Sequence, residues 1–169
     1  VYKRQMEKGG VGKTTLSTGL ATGLAKLGKR VLLLDLDAQA NATAMLTGQY
    51  NETDQGAGLI AALRAGDSLH VEETDYGVDL VASGRQMSLA DLVFRNMAAG
   101  GFARIARLLS KHTPDYDYVV IDTPPTLGPI TTAAVYAATH VLMPVKPNGF
   151  SLDAVLRTQT LLEEVRETC

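Results

Sequence analysis

At 169 residues, 46% hydrophobic and 20% charged, the chain has the length and composition of one globular domain, large enough to bury a core. Its net charge of −2 excludes a protein that coats nucleic acid through bulk positive charge and leaves only local patches for that purpose. The single cysteine, Cys169, excludes an internal disulfide framework, and no apolar run approaches the roughly 18 residues that a membrane span needs.

His70, His112 and His140 stand apart from Cys or carboxylate partners at ligand spacing, so no zinc site is expected. No signal peptide is visible, and a soluble, cytoplasmic protein is expected. The chain opens at Val1 and stops within a helical pattern at Cys169. A single domain over 1–169 is therefore expected, short of its first strand residues and of a C-terminal part.

In chain order, Val1–Met6 is expected to be a strand, although Lys3, Arg4 and Gln5 interrupt the apolar run that a central parallel strand normally shows. Lys8-Gly9-Gly10-Val11-Gly12-Lys13-Thr14-Thr15 follows. Its glycines open backbone conformations closed to residues with a Cβ, so that successive N–H groups can face one anion. Lys13 is placed to reach the β/γ-phosphates of a nucleotide, and the Thr14 hydroxyl to ligate Mg²⁺. The helix that Thr14 opens adds its positive end. That helix is expected to run to Leu27 on a row of Leu16, Leu20, Leu24 and Leu27, with Gly19, Ala21, Gly23 and Ala25 allowing close approach to a sheet.

Val31–Leu34 reads as a buried parallel strand. It ends in Asp35-Leu36-Asp37, which puts Asp37 at the carboxyl end of a strand, where open α/β sheets hold ligands. Residues 48–58 are expected to be a surface loop, Leu59–Leu63 a short helix, and Val78–Val81 a strand with an edge at His70–Val71. Ser88 and Asp91 have the spacing of a capping box. A helix near Phe102–Lys111 is expected to bury Phe102, Ile105 and Leu109 and to carry Arg104, Arg107 and Lys111 along one side. Such a stripe suits DNA phosphates, but a solvated face is the commoner meaning. Tyr118–Ile121 reads as a buried strand ending at Asp122, the pattern of a carboxylate that holds Mg²⁺. A helix near Thr131–Ala138, a strand at His140–Val145 and an amphipathic helix after Ser151 complete the pattern.

The alternation implies an α/β fold with a mostly parallel, doubly wound sheet and helices on both faces. The loop at 8–15 departs from the ordinary P-loop, having Glu7 where glycine belongs and a second lysine at Lys8. It resembles the deviant Walker A motif of the ParA/MinD family of ATPases. The segment 35–43 resembles that family's A′ motif and is most similar to the ParA partition branch through Gln39, Asn41 and Thr43. Ala38 stands in place of the family's proline and Ala40 in place of its frequent glycine, changes expected to loosen the loop.

The resemblance implies a Mg-ATP-dependent homodimer that hydrolyses ATP weakly until stimulated by a ParB-like partner, binds DNA nonspecifically, and acts in plasmid or chromosome partition or in cargo positioning. It assigns Lys8 to the facing subunit's nucleotide and Asp37 to the attacking water, and it implies association with the nucleoid if DNA binding holds. A P-loop kinase, an amide-forming ligase of the dethiobiotin-synthetase type, and a nonhydrolysing nucleotide-binding module remain as alternatives.

Overall fold

The computed structural model describes residues 11–49, 55–66, 68–97, 101–112, 115–145 and 149–168. The strand expected at Val1–Met6 and the loop residues Lys8, Gly9 and Gly10 lie outside them. Among the described residues, helices α1 (Lys13–Lys26), α2 (Asn41–Thr47), α3 (Gln55–Ala65), α4 (Ala90–Arg95), α5 (Ala103–His112), α6 (Pro129–Ala137) and α7 (Gly149–Thr168) surround four strands. The strands β1 (Val31–Asp35), β2 (Glu72–Glu73), β3 (Asp79–Val81) and β4 (Tyr118–Asp122) lie in the order β2-β3-β1-β4. β1 runs parallel to both β3 and β4, and only the short edge strand β2 is antiparallel.

Every residue of β1 is buried, because its alternating side chains serve two cores. Leu32 and Leu34 join Leu36 against α3, α4, α5 and α6, where Leu63, Phe94, Ile105 and Ala133 complete a continuous apolar cluster. Val31 and Leu33 point the other way, to Ala21 of α1 and to Ala42 and Leu46 of α2. The sheet is thus covered on both faces, as the sequence pattern implied.

Several local expectations are corrected. The buried residues of α1 are Thr18 and Ala21, with Ala25 and Leu24 partly buried against the same cluster; of the expected leucine row Leu24 packs, whereas Leu16, Leu20 and Leu27 are exposed. Gly19 and Gly23 face open space. Small side chains seat the helix close to the sheet, which turns the rest of the longer row outward. The loop expected at 48–58 gives way to α3 at Gln55, and the edge strand is Glu72–Glu73 rather than His70–Val71.

The capping box does not form. Ser88 lies in a 3₁₀ turn (Arg85–Leu89) and donates to the Arg85 carbonyl at 2.7 Å, while Asp91 accepts from the Ile130 amide. The backbone of that turn leads directly into α4, so no side chain is needed at its start. Phe102 is exposed, and in its place Leu108 joins Ile105 and Leu109 in the core. β4 is half-exposed along Tyr118–Ile121, and residues 140–145 form no strand. A strand needs a neighbour for its ladder, and among the described residues none pairs with 140–145, where Val141, Leu142 and Val145 are exposed. The last helix begins at Gly149 and packs on α6, with Leu156 exposed. No helix among the described residues is long and apolar enough to cross a membrane.

Candidate functional site

The parallel register of β1 and β4 sets Asp35 directly opposite Asp122, so both acidic strand ends emerge on one edge of the sheet. The start of α1 lies over that edge. Gly12 precedes the helix with φ 88°, a left-handed conformation that glycine adopts without strain, and this turns the chain from the loop into α1. Lys13, Thr14 and Thr15 form the first turn.

Thr14 and Asp122, 108 residues apart in sequence, meet here: the Thr14 hydroxyl donates to Asp122 Oδ2 at 2.8 Å. Ser17, one turn further along α1, donates to Oδ1 at 2.9 Å. Both oxygens of a carboxylate only 1% exposed are thereby engaged. Burial pushes the Asp122 carboxyl up from its ordinary pKa, the two hydroxyls oppose that shift, Asp37 reinforces it, and Lys13 opposes it.

Burial likewise pushes Asp35 up, to about 6, against the hydrogen bonds that it accepts from Thr43 and the Asp37 amide. Its carboxylate has no exposed surface. It takes the Asp37 amide at 3.1 Å, the Thr43 amide at 2.9 Å and the Thr43 hydroxyl at 2.8 Å. Asp37 is half-buried, and its Oδ1 accepts from the Gln39 amide at 3.0 Å. Ala40 adopts φ 52°, the left-handed region, and its amide returns to the Asp37 carbonyl at 2.8 Å. The alanine thus holds the conformation for which glycine is suited, and the segment is a tight turn rather than a loosened one. A cavity of about 160 Å³ lies beside it, lined by Leu36, Asp37, Met87, Asp91, Pro124 and Ile130.

The oxygen donors fit a hard divalent cation such as Mg²⁺, which takes few protein ligands and shares the rest of its shell with water and phosphate. Thr14 and Asp122 are the residues that would hold it. Among the described residues no three His, Cys, Asp or Glu side chains converge as a protein-only metal cage.

The basic stripe lies on α5, and two of its members have structural partners. Lys111 Nζ donates to the Gly66 carbonyl at 2.7 Å, and Arg104 approaches the Arg64 carbonyl, so both serve the C-terminal end of α3. Arg107 is exposed. Sequence reasoning had missed Ser17, Ser83 and the buried role of Asp35. Only Ser17 carried a usable signal, since a hydroxyl three residues after Thr14 shares its helix face.

Comparison with known proteins bears on this geometry. A family model described as an AAA domain matches residues 4–169. The chain is 37% identical over 165 residues to the chromosome-partitioning ATPase Soj of Thermus thermophilus, covering 95% of this chain and 60% of that protein. It is 33% identical over 168 residues to the sporulation initiation inhibitor protein Soj of Bacillus subtilis, covering 95% and 62%. The chain therefore spans about three fifths of the length of these curated relatives. Among solved structures, cobyrinic acid a,c-diamide synthase from Mycobacterium smegmatis, with bound ATP analog and magnesium, superposes with a TM-score of 0.81 at 29% identity. That match covers 95% of this chain and 66% of the other.

Proposed function

The chain belongs to the AAA-domain family, among its ParA/MinD-like members, and from that premise we propose that it is a Mg-ATP-dependent ATPase of the ParA type, acting in DNA partition or cargo positioning. The observation that carries the reading is the 2.8 Å bond between Thr14 and Asp122. A glycine-rich loop and a strand-end carboxylate are each common alone. Their meeting at one point is what a metal-nucleotide site requires.

In this reading the amides of residues 9–14 and the Lys13 ammonium hold the β/γ-phosphates, and Thr14 with Asp122 holds the cation. When bound, Mg²⁺ supplies positive charge to the phosphate oxygens as the bond to the leaving group breaks. Asp37, at the end of β1, orients the water that attacks in line. Lys8 reaches the facing subunit's nucleotide in an ATP-dependent homodimer, a role that rests on the family resemblance of its position. A ParB-like partner that stimulates turnover, nonspecific DNA binding through surfaces that include Arg107, and a cytoplasmic, nucleoid-associated location belong to the same proposal. Arg104 and Lys111 join that surface only by exchanging their α3 contacts for phosphates.

Replacing Lys13 with Ala should abolish Mg-ATP binding in calorimetry, and unchanged affinity would overturn the phosphate cradle. Asp37→Ala should keep ATP and lose turnover. The relatives favour hydrolysis over the alternative of amide formation. Amide formation would require phosphate release to depend on an added carboxylic acid and an amine donor, whereas an ATPase releases phosphate without either.

A further inference from the structure

The A′ turn contains a closed ring of hydrogen bonds that begins and ends on one residue. The Asp37 amide donates to Asp35 Oδ1 at 3.1 Å. The other Asp35 oxygen accepts the Thr43 hydroxyl at 2.8 Å, and that hydroxyl oxygen accepts the Ser83 amide at 2.9 Å. Ser83 then donates its own hydroxyl to the Asp37 carbonyl at 2.6 Å. The ring joins the ends of β1 and β3 to the first turn of α2. Asp35, Thr43 and Ser83 are each no more than 1% exposed, so only Asp37 carries it toward solvent.

A turn of this length needs no buried carboxylate. A serine could accept from one of these amides without desolvating a charge, and a buried charge is costly unless its partners are fixed. The carboxylate offers two acceptor edges at once, one for Asp37 and one for Thr43. An amide in its place would present a donor to one of those N–H groups. The arrangement therefore fixes the backbone of Asp37 on both sides, while its half-buried side chain lies at the cavity and accepts the Gln39 amide of its own loop.

We propose that Asp35, Thr43 and Ser83 are positioning residues for Asp37, a clamp that holds its backbone so that its carboxylate meets the attacking water in one orientation. The inference rests on the reading that Asp37 orients that water. None of the three belongs to the glycine-rich loop or to the Thr14–Asp122 pair, so removing the clamp should lower kcat and spare ATP affinity.

The test uses the intact protein and four variants: Ser83→Ala, Thr43→Val, Thr43→Ser and Asp37→Ala. Ser83→Ala and Thr43→Val should each reduce kcat by about tenfold to a hundredfold, the scale of a displacement near 1 Å, with the calorimetric Kd for Mg-ATP within twofold of the parent. Thr43→Ser, which keeps the hydroxyl, should restore parental kcat. Adding Ser83→Ala to Asp37→Ala should lower the residual rate no further. In the nucleotide-free protein, amide exchange across residues 37–40 should quicken in both damaging variants. Should Thr43→Val fail to fold, Ser83→Ala, which deletes one oxygen, carries the test alone. Parental kcat in Ser83→Ala, in a background where Asp37→Ala is inactive, overturns the clamp. An active Asp37→Ala overturns instead the reading beneath it.

Discussion

Asp35 and Asp122 occupy equivalent positions, facing one another at the ends of adjacent parallel strands, yet they do opposite things. Asp35 turns its carboxylate back on its own loop and takes three donors from residues 37 and 43. Asp122 turns away from its own loop to the hydroxyls of α1, and the segment after it is held from its far end. There Asp91 accepts the Ile130 amide at 3.2 Å, and the Thr131 hydroxyl reaches the Thr126 carbonyl at 2.7 Å. The difference follows from the donors within reach. Backbone amides fix a loop, whereas two part-exposed hydroxyls can exchange a carboxylate for a cation.

The comparison is broken most severely at its buried half. Asp35→Ala strands three donors in a dry site, and should cost about 2–4 kcal/mol after allowing for the relief of a desolvated charge. Urea denaturation measures it. Asp122→Ala, whose hydroxyl partners can rehydrate, should stay within about 1 kcal/mol of the parent in the same experiment. Its loss should appear instead as an ATP affinity that no longer strengthens when Mg²⁺ is added. Equal destabilisation in the two variants would erase the distinction drawn between them.

The pH dependence of stability sharpens the same contrast. The folded-state pKa of Asp35 lies near 6, above the ordinary 3.8, so the fold favours its protonated form. The associated stability is fully present below pH 3.8 and is lost as the pH rises through about 6. Integrated over that window the effect is about 3 kcal/mol. Denaturation midpoints of the parent should therefore fall from pH 4 to pH 7 more steeply than those of Asp35→Asn. Parallel profiles would show that burial imposes no such demand.

A smaller effect is expected where the second loop is anchored. A Cβ on Gly128 would lie 2.6 Å and 2.9 Å from the Asp91 carboxylate oxygens, so Gly128→Ala should cost about 1–3 kcal/mol. Combining it with Asp91→Ala should recover part of that loss in thermal melts. Smallest of all, Ala40→Gly should relieve the left-handed backbone at φ 52°. The gain should be about 0.5–1 kcal/mol, the conformational relief less the extra freedom of the unfolded chain. An unchanged melting temperature would mean that Ala40 bears no strain.

The parts of this arrangement legible in the sequence are those with a local signature. The apolar run before Asp122, the glycines before Lys13 and the strand end before Asp37 each announce a position, and elementary sheet topology brings them to one edge. Ser83 has no such mark. Its importance arises because β3 lies beside β1, a fact of pairing that no local window contains. Only Leu24 of the expected leucine row of α1 packs inward, for a related reason: several stripes of a helix rich in small residues can face a sheet, and the closest approach selected Ala21. The capping-box spacing at Ser88 and Asp91 was outweighed by Asp91's tertiary partner at Ile130.

That choice of stripe makes α1 a lever with its fulcrum at Ala21. The alanine has no accessible surface, and Thr14 lies seven residues nearer the loop, about 10 Å along the axis. A methyl group added at the fulcrum has nowhere to go except into the sheet, so the helix must rock. Rocking by about 10° would carry Thr14 through roughly 2 Å, on the scale of the hydrogen bond it makes to Asp122. The smallness of one buried side chain two turns along the same face of the helix thus sets the alignment of the site, and volume there is under a tighter constraint than polarity.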